Sequence, residues 1–272
     1  MPSELVDKVL VPDDELVVDN VTVTYKQAGR GVLTAVDDVS LTVGGGEVVG
    51  LVGESGCGKS TLAKVICGLV PAAAGQVRFS GMRVGPLGLH RRRTELLRIQ
   101  LVFQNPYASL NPRRRIGQQI EDARAIHPGQ APSVAELFEQ VELPADAASG
   151  YPYQFSGGQR QRIAIARAVA TGPQLLIGDE PIASLDASLQ AKVATLMRRV
   201  ALEAGASLLF ISHDLSVVRL IADRVLVMNA GRVVEQGPTA QVWDDPQQAY
   251  TRRLLNAIPL ADGLGRLPVL EA

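Results

Sequence analysis

Cysteine is nearly absent from this 272-residue chain: there are two, Cys57 and Cys67. Two cysteines exclude a disulfide framework and any four-cysteine metal site. Excess charge of one sign is also missing, since 27 basic and 28 acidic residues leave a net charge of −1. That argues against a nucleic-acid binder working through an overall basic surface. Aromatic residues make up 4% and charged residues 20%, ordinary values for a globular chain and not for a disordered one. No apolar run reaches about 18 residues, so no segment is expected to span a membrane alone. The first eight residues have no basic stretch followed by an apolar run, so no secretory leader is expected and a cytoplasmic protein is. Arginine supplies 22 of the 27 basic residues, a codon bias without functional content.

What is present is a core: 46% of the residues are hydrophobic, enough for one large domain with a subdomain. Residues 1–14 read as a lead-in and 259–272 as a tail. Leu16–Tyr25 alternates through Val17, Asp19, Val21, Val23 and Tyr25, the period of a strand, and Val32–Val43 repeats it. Glu47–Val52 is a short apolar run, as in a strand buried on both faces, and a helix is expected over Ser60–Leu69. Gln76–Phe79 and Ile99–Phe103 are further strands. Residues 105–172 carry six prolines and helical stretches at Ile116–Ala125, Ser133–Val141 and Gly157–Thr171, which reads as a helical subdomain inserted in an α/β core. Strand and helix alternate again over Leu175–Gly178, Leu185–Glu203, Ser207–Ser212, Leu215–Ile221 and Arg224–Met228, the pattern of a mostly parallel sheet. The triplets Arg91–Arg93 and Arg113–Arg115 read as solvated faces.

Three segments carry chemistry. Gly53-Glu54-Ser55-Gly56-Cys57-Gly58-Lys59-Ser60-Thr61 fits G-x-x-x-x-G-K-[ST] between a strand and a helix, the context a phosphate loop requires. Glycines turn backbone N–H groups inward, and the helix start adds about half a positive charge. Lys59 reaches β- and γ-phosphates, Ser60 offers a hydroxyl to Mg²⁺, and Thr61 reaches the α-phosphate. Cys57 lies inside this loop, where a bulky adduct is expected to exclude nucleotide. The second segment, Leu175–Glu180, is an apolar strand ending in two acids. At a strand's carboxyl end Asp179 can hold Mg²⁺ and Glu180 can orient or deprotonate a water. The third, Phe155-Ser156-Gly157-Gly158-Gln159, opens a helix with Ser156 as its N-cap. Two glycines there cost about 1 kcal/mol each relative to Ala, so this start is shaped to receive an anion.

The string Ser156-Gly157-Gly158-Gln159, standing between the phosphate loop and the Asp179–Glu180 strand, resembles the signature of the ATP-binding cassette ATPases. The resemblance covers about residues 16–258 and implies a P-loop NTPase core with a mostly parallel sheet, an N-terminal antiparallel β subdomain and an inserted helical subdomain. It places Tyr25 on adenine, Gln104 near Mg²⁺ and the attacking water, Asp186 in a loop crossing a dimer interface, and His213 on the γ-phosphate. It implies no catalytic work for His90 and His127. Phe103–Pro112 and Ala249–Pro259 are similar to ATPase subunits of oligopeptide and dipeptide importers, whose relatives carry nickel and other metal chelates. Ile182-Ala183-Ser184 departs from the family's more frequent hydroxyl-first pattern, and no cysteine follows Cys67, so an iron–sulfur cluster near the C-terminus is not expected.

On that resemblance two cassettes close head-to-tail around ATP and Mg²⁺. The second cassette is expected to be a paralogue, with a homodimer as the other arrangement. Two permease subunits are expected to dock near Asn105–Asn111, an extracytoplasmic binding protein to act indirectly, and the ATPase to sit peripherally at the cytoplasmic face of the membrane. No nucleic-acid partner is expected. A competing reading, a nucleic-acid- or ribosome-associated cassette ATPase, would call for tandem cassettes, long heptad runs or basic linkers, none of which is found.

Overall fold

The computed structural model describes residues 14–27, 29, 31–88, 92–127, 129 and 132–257. The lead-in up to residue 13, His90, Arg91 and the tail from 259 lie outside the described residues.

Two sheets organise the chain. The first is antiparallel, in the order β2-β1-β4-β5, built from β1 (Asp14–Gln27), β2 (Gly31–Gly44), β4 (Ala74–Phe79) and β5 (Met82–Arg83). The simple alternation expected over Leu16–Tyr25 needs correcting. Leu16 and Val18 are buried, then Val21 and Val23, because a register shift between Val18 and Val21 resets the phase. Asn20 sits there with φ 47°, the left-handed backbone that a β-bulge uses. Val17 is therefore only half-buried.

The second sheet runs β10-β9-β3-β8-β7-β6, with β3 (Val48–Val52), β6 (Ile99–Val102), β7 (Leu175–Asp179), β8 (Ser207–Ile211) and β9 (Arg224–Asn229) parallel and β10 (Arg232–Pro238) antiparallel at one edge. Helix α1 (Lys59–Ile66) follows β3. Between β6 and β7 the regular elements are helices α2 (Ile116–Arg124), α3 (Val134–Gln140) and α4 (Gly157–Val169), with short 3-10 turns. Then α5 (Ala187–Glu203) and α6 (Leu215–Ile221) alternate with β8 and β9, and α7 (Thr239–Asp244) and α8 (Ala249–Asn256) follow β10.

Because side chains alternate along a strand, each central strand feeds two cores. Leu176, Leu208, Phe210, Val225 and Val227 pack with α2–α6. Leu175, Ile177, Leu209, Ile211, Leu226 and Met228 pack with α1 and the antiparallel sheet. Gly50 of β3 is the exception that lets a helix in: a Cβ there would lie 2.4 Å from Val218 Cγ1 of α6. The double burial explains why these strands read as continuous apolar runs. It also rigidly sets the carboxyl ends of β3, β6, β7 and β8 side by side. Among the described residues no helix is long and apolar enough to cross a membrane. Not legible from periodicity were β5, β10 and α7, short elements whose faces are only partly buried.

Candidate active site

The loop from Gly53 to Gly58 is wrapped tightly onto its own fold. A Cβ on Gly53 would lie 2.1 Å from the Met228 carbonyl oxygen, and one on Gly58 2.2 Å from that of Ala35; their φ values are 151° and 109°. Only glycine meets both demands. Gly58 in left-handed backbone precedes α1, so the free N–H groups of the first helical turn face the space above the sheet. Buried Lys59 folds back, its Nζ donating to the carbonyls of Gly53 (2.7 Å) and Glu54 (2.9 Å). Ser60 Oγ donates to Oδ1 of buried Asp179 at 2.7 Å.

Glu180, just past β7, has φ 51°, and its N–H donates to the Ile211 carbonyl at 3.0 Å. A non-glycine residue in this region stores about 1–3 kcal/mol of backbone strain, which surrounding structure must hold. The turn aims the carboxylate between Lys59 and His213. Oε1 lies 3.8 Å from Lys59 Nζ, and Oε2 lies 2.7 Å from Nδ1 of His213. The carboxylate is 12% exposed and the imidazole 55%, so the acid is shielded while the histidine borders solvent.

Lys59, Ser60, Glu180 and His213 share one cavity of about 410 Å³. Ser55, Gly56, Gly58, Lys59, Ser60 and Thr61 line its floor; Gln104, Glu180 and His213 close one side; Tyr25, Leu33 and Ala35 form the other. Leu33 stands opposite Tyr25 in the β1–β2 pairing, so the hairpin presents Tyr25 with a partner that sequence reading missed. The aromatic ring beside it was the available clue. Ser60 Oγ and Asp179 supply two hard oxygen donors next to the loop. Among the described residues no group of three or more His, Cys, Asp or Glu could hold a metal. That donor set fits Mg²⁺, which is held by one or two protein oxygens with phosphate and water completing its shell.

Three expected residues of the loop are already engaged inside the chain. Gly53 and Glu54 give their carbonyls to Lys59, and the Glu54 N–H donates to Tyr250 Oη at 3.2 Å. Cys57 donates its N–H to Glu54 O at 3.3 Å, and its thiol is buried 3.9 Å from Lys59 Nζ. Burial pushes the Cys57 thiol pKa up and that of Cys67 up to about 12. Cys57 thus lies in the loop through its backbone, with its thiol facing the fold.

Ser156, Gly157, Gly158, Gln159 and Asp186 do not line this cavity. Ser156 caps α4 as expected and Gln159 completes a reciprocal box: Ser156 Oγ accepts from Gln159 N at 3.3 Å, and Gln159 Oε1 from Ser156 N at 2.9 Å. A Cβ on Gly157 would meet only Leu185 Cδ2, at 4.0 Å. Asp186 caps α5, accepting from Leu189 N at 3.1 Å and Ser188 Oγ at 2.7 Å. The Ser188 hydroxyl holds its carboxyl below the usual range. The segment after Gln104 is pinned to α4, with Arg160 4.2 Å over the Tyr107 ring and Arg167 donating to Ser109 O. It borders a larger groove of about 640 Å³, reaching Phe103, Asn111 and Arg92. Arg92 is half-buried there, donating to Cys67 O at 2.7 Å, which corrects the solvated reading for that residue; Arg93 and Arg113–Arg115 are exposed as expected. His127 is buried with Nδ1 2.7 Å from Thr171 O, away from the cavity.

Comparison with known proteins agrees with this geometry. Residues 36–183 match the family model described as ABC transporter. The oligopeptide transport ATP-binding protein OppF of Bacillus subtilis (strain 168) is 46% identical over 240 residues, covering 86% of this chain and 79% of that protein. A dimeric post-hydrolysis structure of the ATP-binding cassette MJ0796, bound to ADP and Pi, superposes with TM-score 0.70 at 30% identity, covering 82% of this chain and 98% of that one. The cbiO1 subunit from Clostridium perfringens, part of the ABC transporter complex cbiONQ, gives TM-score 0.72 at 26% identity over 86% and 92%. With the family model spanning more than half its length and its phosphate loop, acidic strand end and capped glycine helix in place, the chain belongs to the ABC transporter family and is one of its ATP-binding, ATP-hydrolysing cassettes.

Proposed function

We propose that this cassette powers a peptide importer, with Lys59, Ser60, Gln104, Asp179, Glu180 and His213 as its own half of one ATP site. The observation that carries the reading is that Lys59, Ser60, Gln104, Glu180 and His213 line one cavity at the carboxyl ends of β3, β6, β7 and β8, with Asp179 tied to it through the Ser60 hydroxyl. Tyr25 stacks on adenine. The N–H groups from Ser55 to Thr61 and the ammonium of Lys59 hold the phosphates. Ser60 and Asp179 would hold Mg²⁺, with Gln104 as a further ligand; when bound, the ion would supply charge neutralisation on the transferring phosphoryl group. Glu180 takes a proton from water as its oxygen attacks the γ-phosphorus, the bond to the ADP oxygen breaks, and ADP and phosphate leave. His213 swings from Glu180 to the γ-phosphate, leaving the carboxylate free to accept that proton.

Ser156–Gln159 and Asp186 serve the site of a second cassette, a paralogue in our reading, since they stand apart from this chain's own cavity. The groove beside Asn105–Asn111 receives a cytoplasmic segment of each permease subunit, and the protein is peripheral at the cytoplasmic face. Residues 15–258 form the ATPase domain, with 105–172 as its helical subdomain. Peptides rather than nickel chelates are the cargo, since the relative reported above is a transporter of oligopeptides. The test is reconstitution with permeases and binding protein: peptide should stimulate ATP hydrolysis, Lys59→Ala should abolish it, and stimulation by nickel chelate alone would transfer the reading to metal import.

A further inference from the structure

The family match ends at residue 183, yet one contact reaches the phosphate loop from far beyond it. Tyr250, the second residue of α8, is half-buried against the helix-side core. Its hydroxyl oxygen accepts the Glu54 N–H at 3.2 Å across 196 positions of sequence. The Gly53 carbonyl and the Glu54 N–H belong to one peptide plane. That plane is therefore gripped at both edges, the carbonyl by Lys59 Nζ at 2.7 Å and the N–H by Tyr250. Gly53 at φ 151° is a residue about which such a plane can turn, so the two grips are what fix it. Helix α8 is itself anchored. Glu235 of β10 accepts the N–H groups of Gln247 (2.7 Å) and Gln248 (3.0 Å) just before the helix begins.

We propose that Tyr250 is a positioning residue for the phosphate loop, and that α8, tethered by Glu235, is a strut that sets nucleotide affinity from the C-terminal segment. The proposal rests on the phosphate-loop reading above. Holding the Gly53–Glu54 plane keeps one acceptor of Lys59, the Gly53 carbonyl, in place and so steadies the ammonium, and leaves the N–H groups from residue 55 onward as the ones turned to phosphate. Without the hydroxyl the plane is free to rotate and Lys59 loses a fixed acceptor.

The experiment is ATP titration of the full 272-residue chain, at a temperature where every variant is folded. Tyr250→Phe, which keeps the ring and its packing, should weaken ATP binding about 2- to 10-fold, the range of one net neutral hydrogen bond. Glu235→Ala should weaken it similarly, and the double variant should be no weaker than the worse single one, because both act through one contact. A merely structural tyrosine would lower the melting temperature and leave affinity alone. Unchanged affinity in Tyr250→Phe, with Lys59→Ala abolishing binding, overturns the strut while the phosphate-loop reading stands. Wild-type affinity in Lys59→Ala overturns both.

Discussion

The loop before α1 and the start of α4 are both glycine-rich entries to helices, and the chain treats them in opposite ways. In the first, Gly53 and Gly58 are demanded from within, by backbone oxygens about 2 Å from where a Cβ would sit. In the second, Gly157 faces nothing nearer than 4.0 Å, although Gly158 touches Leu189. A glycine at an open helix start costs stability and returns no packing. The first loop is thus finished by its own fold, and the second is left bare by it. That division matches two half-sites, one that binds nucleotide and one that completes a neighbour's site.

The sharpest way to break the comparison is at Glu180. Glu180→Gln keeps the shape and removes the base, so turnover should fall about 10²- to 10⁴-fold while ATP affinity persists or tightens. The closed dimer should then accumulate. The measurement is ATPase rate, affinity and dimer state with the partner cassette's own catalytic site disabled. Near-normal turnover would assign the water to another group.

The two glycines provide the direct contrast. Gly53→Ala meets the Met228 carbonyl and a backbone angle alien to side chains, and should cost about 2–6 kcal/mol of stability. Gly157→Ala should raise stability by up to about 1 kcal/mol and leave ATP affinity of the isolated chain unchanged. Turnover with the partner should drop at least about tenfold, the loss that 1.4 kcal/mol of transition-state contact produces. Thermal melts and single-turnover rates decide it. A Gly157→Ala enzyme that is both more stable and fully active would leave the open helix start unexplained.

Tyr25→Ala should weaken nucleotide binding roughly 5- to 150-fold, from about 1–3 kcal/mol of stacking, with little change in folding. Tyr25 is 38% exposed and its ring borders the cavity. Equal affinity with a lower melting temperature would make it a cross-strand partner of Leu33 instead.

Most of this site was legible because its chemistry is local in sequence. A phosphate loop needs its glycines, Lys59 and Ser60 within nine residues, and Asp179–Glu180 are adjacent. Lys59, Glu180, Gln104 and His213 meet because parallel strands end together; the alternation of strands and helices announced the sheet, while Gln104 and His213 were picked out by the family resemblance alone. Legibility failed where long-range packing decides. The bulge at Asn20 changes which valines face inward, and no period shows it beforehand. Cys57 reads as part of the nucleotide surface until the fold turns its thiol inside. Tyr250 belongs to a short terminal helix, and its contact with Glu54 depends on how α8 lies against β10.

The smallest effect on function is expected at the other end of β3, about 17 Å from the phosphate loop for a five-residue strand. There Glu47 takes a two-pronged ion pair from Arg224, with Nε at 2.7 Å from Oε1 and Nη2 at 3.0 Å from Oε2, and accepts the Gly44 N–H at 2.9 Å. Burial alone would raise the Glu47 pKa, but these hydrogen bonds outweigh it and hold the carboxyl below its usual range. A carboxylate whose folded pKa lies below its unfolded value of about 4.3 adds stability at neutral pH. The contribution is present above that unfolded value and disappears as pH falls through the folded one. Glu47→Gln should therefore cost about 1–2 kcal/mol at pH 7, limited because the side chain is still 25% exposed. Melting curves of both proteins should converge only as pH falls through the folded pKa of Glu47, below the usual carboxylate range. A gap that persists in acid would assign the cost to packing instead of charge. ATP affinity and turnover at pH 7 should match wild type, because the pair ties β3 to β9 and the antiparallel sheet at the base and touches neither half-site. A loss of affinity would mean that strain at the foot of the strand reaches its tip, and the loop's glycines alone would no longer account for its shape.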